Sequence, residues 1–130
     1  MHIILADDQP KVRFAMRVLL ERQSGMVVAG EVANADDLLA QLTTKCTELV
    51  LLSWELPGLL RIGSLSALRA LCPGMAVIAL SGRPVACRTG LAAGAAAFVS
   101  KSDPPEFLLA AIKSVRAGKP TVQPEDRSAL

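Results

Sequence analysis

Five polar side chains stand directly after short apolar runs. Asp7 and Asp8 follow Ile3-Ile4-Leu5-Ala6, Ser53 follows Leu49-Val50-Leu51-Leu52, Ser81 follows Val77-Ile78-Ala79-Leu80, and Lys101 follows Phe98-Val99-Ser100. Two adjacent carboxylates, two hydroxyls and an ammonium are the groups here that could do polar or acid–base chemistry if they converged on one edge. His2 is the sole histidine, at the start of the chain, so a Ser-His-Asp relay has no base beside Ser53 or Ser81. Cys46, Cys72 and Cys87 are an odd number at wide spacing, with no CxxC and no Cys/His ligand pattern. Neither structural zinc nor a disulfide framework is expected from them, and they read as small buried or half-buried fillers.

The elements that must position these residues follow from the hydropathy pattern. A chain of 130 residues is one domain's worth, long enough for a core without staples. Just over half of the residues are hydrophobic, a globular composition. Phe14, Trp54, Phe98 and Phe107 are the only aromatics, so the core must be Ala, Leu and Val. Strands are expected over 2–6, 26–32, 49–53, 76–80 and 97–100. Helices are expected over 10–22 (Val12, Ala15, Met16, Leu19 and Leu20 inward), 35–44, 64–71, 85–93 and 105–117 (Phe107, Leu108, Ala111, Ile112 and Val115 inward). Asn34 reads as an N-cap and Gly94 as the residue that ends the fourth helix.

Five βα units with uniformly apolar strands predict an α/β fold, a doubly wound parallel sheet covered on both faces. In such sheets the site lies beyond the carboxyl ends of the strands, where Asp7, Asp8, Ser53, Ser81 and Lys101 stand. No GxGxxG, GxxxxGK[ST] or GxSxG motif is present, which argues against a nucleotide enzyme or a hydrolase. The chain is therefore not expected to be an enzyme.

The blocks IILADD (3–8), LVLLSWELPG (49–58), VIALSG (77–82) and GAAAFVSK (94–101) resemble, in order and spacing, the receiver domains of bacterial response regulators. The resemblance covers about 3–118 and is nearest to the subfamily that carries a LuxR-type helix-turn-helix after the receiver. It implies a flavodoxin-like (βα)5 fold with strand order 2-1-3-4-5. It also implies metal-binding roles for Asp7 and Asp8, phosphoryl contacts for Ser81 and Lys101, and a switch aromatic at Phe98. The domain is expected over 1–118, with 119–130 a linker or disordered tail.

One departure decides the functional reading. The position of the family's phosphoacceptor aspartate holds Ser53. A carboxylate is ionised at pH 7 and can attack phosphorus; a serine hydroxyl needs a general base. One of three carboxylates is thereby lost to Mg²⁺, so its binding is expected to be weak or absent, and no other cofactor or metal is implied. The pocket charge falls from −2 to −1, which leaves Lys101 free to pair with Asp7 or Asp8 without a metal. The expectation is an atypical receiver, a pseudo-receiver, that acts in transcription regulation by phosphorylation-independent dimerisation or partner binding. The alternative is a working Mg²⁺-dependent switch with a non-standard acceptor.

The loop after Ser53 carries Leu59, Leu60 and Ile62, which either fold over the pocket or form a partner patch with Trp54. Fourteen basic and twelve acidic residues leave a formal charge of +2 with no basic cluster, so direct nucleic-acid binding is not expected. No run approaches the ~18 apolar residues of a membrane span. The expected partners are proteins, a second copy of the chain among them, with an attached or partner DNA-binding domain. The expected compartment is the cytoplasm.

Overall fold

Short runs that are apolar at every position suit strands covered on both sides. In the structure, a computed structural model that describes residues 1–83, 89, 91 and 93–118, five strands form one sheet, and all but the partly exposed edge strand over 27–32 are largely buried. They are β1 (His2–Ala6), β2 (Val27–Val32), β3 (Leu49–Ser53), β4 (Ala76–Ser81) and β5 (Ala97–Ser100), in the order β2-β1-β3-β4-β5. Every neighbouring pair is parallel. The flavodoxin-like order expected from the resemblance is the order found.

Side chains alternate across the sheet and feed two cores. Ile3, Leu5, Leu49, Leu51, Ile78, Leu80 and Val99 face α1 (Pro10–Glu21) and the last described helix, α4 (Pro105–Arg116). Ile4, Ala6, Val50, Leu52, Val77, Ala79 and Phe98 face α2 (Ala35–Thr44) and α3 (Ser64–Leu71). Asn34 caps α2 by accepting the Asp37 amide at 2.8 Å. Gly94 takes φ +105°, a left-handed conformation that suits glycine. The helix expected over 85–93 lies mostly outside the described residues, as do Cys87, Arg88 and the segment 119–130.

Three expectations about packing need correction. Ala15 is exposed, and Phe107 is 40% exposed where an inward position was expected. The third concerns the cysteines. Cys46 and Cys72 are joined in a disulfide, with Cα atoms 5.8 Å apart, and are not separate fillers. They are 26 residues apart in sequence, a spacing without any local signal. The fold brings them together: Cys46 follows the C-cap of α2 and Cys72 is the C-cap of α3. Two helices that lie on one face of a parallel sheet end at the same edge.

Candidate functional site

The carboxyl ends of β1, β3 and β4 and the turn after β5 deliver the polar residues to one edge. Asp7 is anchored by its own amide, which donates to the Val32 carbonyl of β2 at 3.1 Å. Ser53 and Ser81 close their strands, both fully buried, and the Lys101 amide donates to the Ser81 carbonyl at 2.9 Å. That backbone bond fixes the start of the lysine stem. The side chain then reaches back over the sheet to β3 and β1.

Lys101 Nζ lies 2.8 Å from Asp7 Oδ2 and donates to Ser53 Oγ at 3.2 Å and Gln9 Oε1 at 3.4 Å. Asp7 is fully buried; its Oδ1 accepts the Gln9 amide at 2.9 Å. Oδ2 has the ammonium as its charge partner but no donor aligned on it as a hydrogen bond. Asp8, by contrast, is exposed. The adjacent acids therefore split: one is an interior ion pair and the other a surface charge.

Ser81 looks the other way. Its hydroxyl donates to Glu55 Oε2 at 2.8 Å and accepts the Arg83 amide at 3.0 Å. A serine has one proton to give, and here Glu55 takes it. Phe98 is only 8% exposed and packs in the core beside α2 and α3. The sheet edge thus holds two separate polar groupings, Asp7–Lys101–Ser53 and Glu55–Ser81. Neither Glu55 nor Gln9 stood out in the sequence. Glu55 lies two residues beyond Ser53 and 26 from its partner, so only the β3–β4 pairing reveals the contact.

The aliphatic residues of the loop divide between the two readings the sequence left open. Leu59 is 1% exposed and belongs to the core, and Ile62 packs against it. Leu60 is 88% exposed. Trp54 is half-buried against the same core, its amide donating to the Leu80 carbonyl at 2.7 Å. Trp54 and Leu60 border a surface groove of about 720 Å³, with Arg61 and Arg83 on its rim. Arg61 pairs with Asp36 at 2.7 Å, which ties the loop to the start of α2. That carboxylate holds the Arg61 guanidinium pKa above its ordinary value.

Among the described residues no group of three or more His, Cys, Asp or Glu side chains is placed to hold a metal ion, and no helix is long and apolar enough to cross a membrane.

Comparison with known proteins agrees with the fold. The family profile described as "Response regulator receiver domain" matches residues 3–113. The probable transcriptional regulatory protein SgaR of Hyphomicrobium methylovorum is 34% identical over 119 residues, which is 90% of this chain and 56% of SgaR. The virulence factors putative positive transcription regulator BvgA of Bordetella pertussis is 36% identical over 118 residues, 89% of this chain and 56% of BvgA. The chain spans just over half the length of these curated relatives. A two-component response regulator of the LuxR family from Aurantimonas sp. superposes with a TM-score of 0.83 at 27% identity, over 98% of this chain and 92% of that one.

Proposed function

The chain belongs to the response regulator receiver family, and from that premise we propose that it is a pseudo-receiver whose output does not depend on an aspartyl phosphate. One observation carries the reading. At the end of β3, beside the acidic residue and the lysine that the family uses, stands a buried serine whose hydroxyl already accepts a hydrogen bond from Lys101. A neutral hydroxyl has no lone pair activated for attack without a base. Asp7, the carboxylate that shares Lys101 with this serine, is engaged by the ammonium.

The donor set does not fit Mg²⁺. An octahedral Mg²⁺ site of this kind draws on carboxylates; here one is neutralised by an ammonium, one is exposed and the third position is a hydroxyl. Ser81, the residue expected to hold a phosphoryl oxygen, spends its proton on Glu55.

Signalling would then run through protein contacts. SgaR and BvgA are described as transcription regulators, and this chain would play the receiver's part in such a regulator, joined to or partnered with a DNA-binding domain. Trp54 and the exposed Leu60 mark a surface for a protein partner, and a second copy of the chain is the first to test.

The deciding experiment is intact-mass spectrometry after incubation with Mg²⁺ and acetyl phosphate, with Ser53→Asp in parallel. The expected result is no mass gain in the natural chain. A gain of one phosphoryl group there would overturn the reading and point to an unrecognised acceptor. Analytical ultracentrifugation at micromolar concentration reads the dimer separately.

A further inference from the structure

We propose that Cys46 and Cys72 are a redox-modification site, a dithiol and disulfide pair that exchanges with small thiols such as glutathione from the Cys46 side, and whose reduction releases the far end of α3 from the turn after α2. The proposal concerns the edge of the sheet opposite Ser53 and stands independently of the pseudo-receiver reading.

The two sulfurs are unequal in access. Cys72 is 2% exposed and held by backbone on both sides: its amide donates to the Leu68 carbonyl at 2.9 Å and its carbonyl accepts the Met75 amide at 3.1 Å. Cys46 is exposed and borders a surface groove of about 450 Å³ that also touches His2, Lys45 and Glu48. An attacking thiolate therefore has a route to the Cys46 sulfur, with Cys72 as the leaving thiolate. Exposed disulfides are the labile ones, and those found in reducing compartments are mostly transient or redox-sensing.

The open form has an acceptor in place. Cys46 Sγ lies 3.6 Å from the Leu71 carbonyl and 3.9 Å from the Leu42 carbonyl. A disulfide sulfur has no hydrogen to donate, but a Cys46 thiol formed by reduction would keep the Leu42 carbonyl, on its own side of the break, within weak hydrogen-bond reach as Leu71 moves off with α3. The turn that carries Cys46 stays tied to β1 without the crosslink. The Thr47 hydroxyl donates to the His2 carbonyl, and the His2 amide donates to Glu48 Oε1, each at 2.8 Å. What the disulfide adds is the bond from this anchored turn to α3. At the Ser53 edge the same α2–α3 face is held by the Arg61–Asp36 pair and by the Ala35 amide on the Pro57 carbonyl at 2.8 Å. Reduction removes the covalent attachment and leaves these contacts and the shared apolar core in place.

Closure with oxidised glutathione balances in two exchanges. The Cys46 thiolate attacks one sulfur of the glutathione disulfide and expels a glutathione thiolate. The Cys72 thiolate then attacks Cys46 Sγ and expels the second. The pair loses two electrons and two protons, and one oxidised glutathione becomes two reduced molecules.

The test equilibrates the folded 130-residue chain in buffers of stepped oxidised-to-reduced glutathione ratio. Acid quench, alkylation under denaturing conditions and intact mass follow. The expected result is a change from one alkylated thiol, Cys87, to three across the series. Three thiols at every ratio would overturn the pairing. One thiol even in excess reduced glutathione would overturn the reversibility. Hydrogen exchange on the end-point samples reads the structural arm. Amides in 43–48 and 66–75 should exchange about tenfold faster when reduced, with 49–58 unchanged. Cys46→Ser, at an exposed position, should show the fast pattern in both buffers. A slow pattern in that variant would overturn the claimed release.

Discussion

The two edges of the sheet are held by opposite means. At the carboxyl edge, the buried Asp7, Ser53 and Ser81 meet charges that reach in from the surface: the partly exposed Lys101 joins Asp7 and Ser53, and the exposed Glu55 takes the Ser81 proton. At the amino edge, a disulfide and a pair of main-chain-to-side-chain hydrogen bonds hold a turn that faces solvent. Polar contacts at the first edge draw strength from low dielectric and are costly to leave half-made. Those at the second are screened by water and individually weak. Buried polar groups can thus be held by one another, whereas a solvent-facing edge gains most from a covalent tie.

The largest break in this contrast is Lys101→Ala. It leaves the Asp7 carboxylate buried without its counter-charge and should cost about 3 kcal/mol, measured as a lower urea midpoint at unchanged slope. Ser53→Asp comes next. A third carboxylate beside a single ammonium should lower stability by about 1–2 kcal/mol from like-charge crowding. Added Mg²⁺ should recover that loss in the variant and leave the melting temperature of the natural chain unmoved. Glu55→Ala is smaller: the buried Ser81 hydroxyl loses its acceptor, for about 1 kcal/mol, read by the same urea titration.

The smallest effect sharpens the comparison from the amino edge. The His2 amide, with the His2 ring beside it, holds the Glu48 carboxyl below its ordinary pKa. A group with a lowered folded pKa binds fewer protons in the native state. Its contribution is present above the unfolded value near ~4.3 and is lost as pH falls through the folded one. Glu48→Gln should therefore lower stability slightly at neutral pH and leave it unchanged in acid, seen as melting temperatures that differ a little at pH 7 and converge toward pH 3.

Much of the fold was legible because burial on two faces leaves an unmistakable mark. Ile3–Ala6, Leu49–Leu52 and Val77–Leu80 have no polar position to offer water, and the polar residue that ends each run marks the edge of the sheet. Asn34 capped its helix through local chemistry. What stayed hidden was set by contacts between elements. Nothing in Leu59-Leu60 tells which leucine turns inward, since a short loop has no period to read. Phe107 fits a helical apolar stripe yet stands near its margin, 40% exposed. Cys46 meets Cys72, and Glu55 meets Ser81, each across 26 residues, through the placement of α2 beside α3 and β3 beside β4. The residue types at the carboxyl edge were plain in the sequence; their division into two polar groupings was not.

The disulfide also changes how the chain would respond to a mechanical load. The segment it closes contains the central strand β3, the loop after it and all of α3. Pulled from its two ends, the oxidised chain would pass tension directly from Cys46 to Cys72, and the segment between them would bear none of it. Its fully extended length would be shorter than that of the reduced chain by about 90 Å. The strand that carries Ser53 would sit inside a loop that force on the termini cannot straighten.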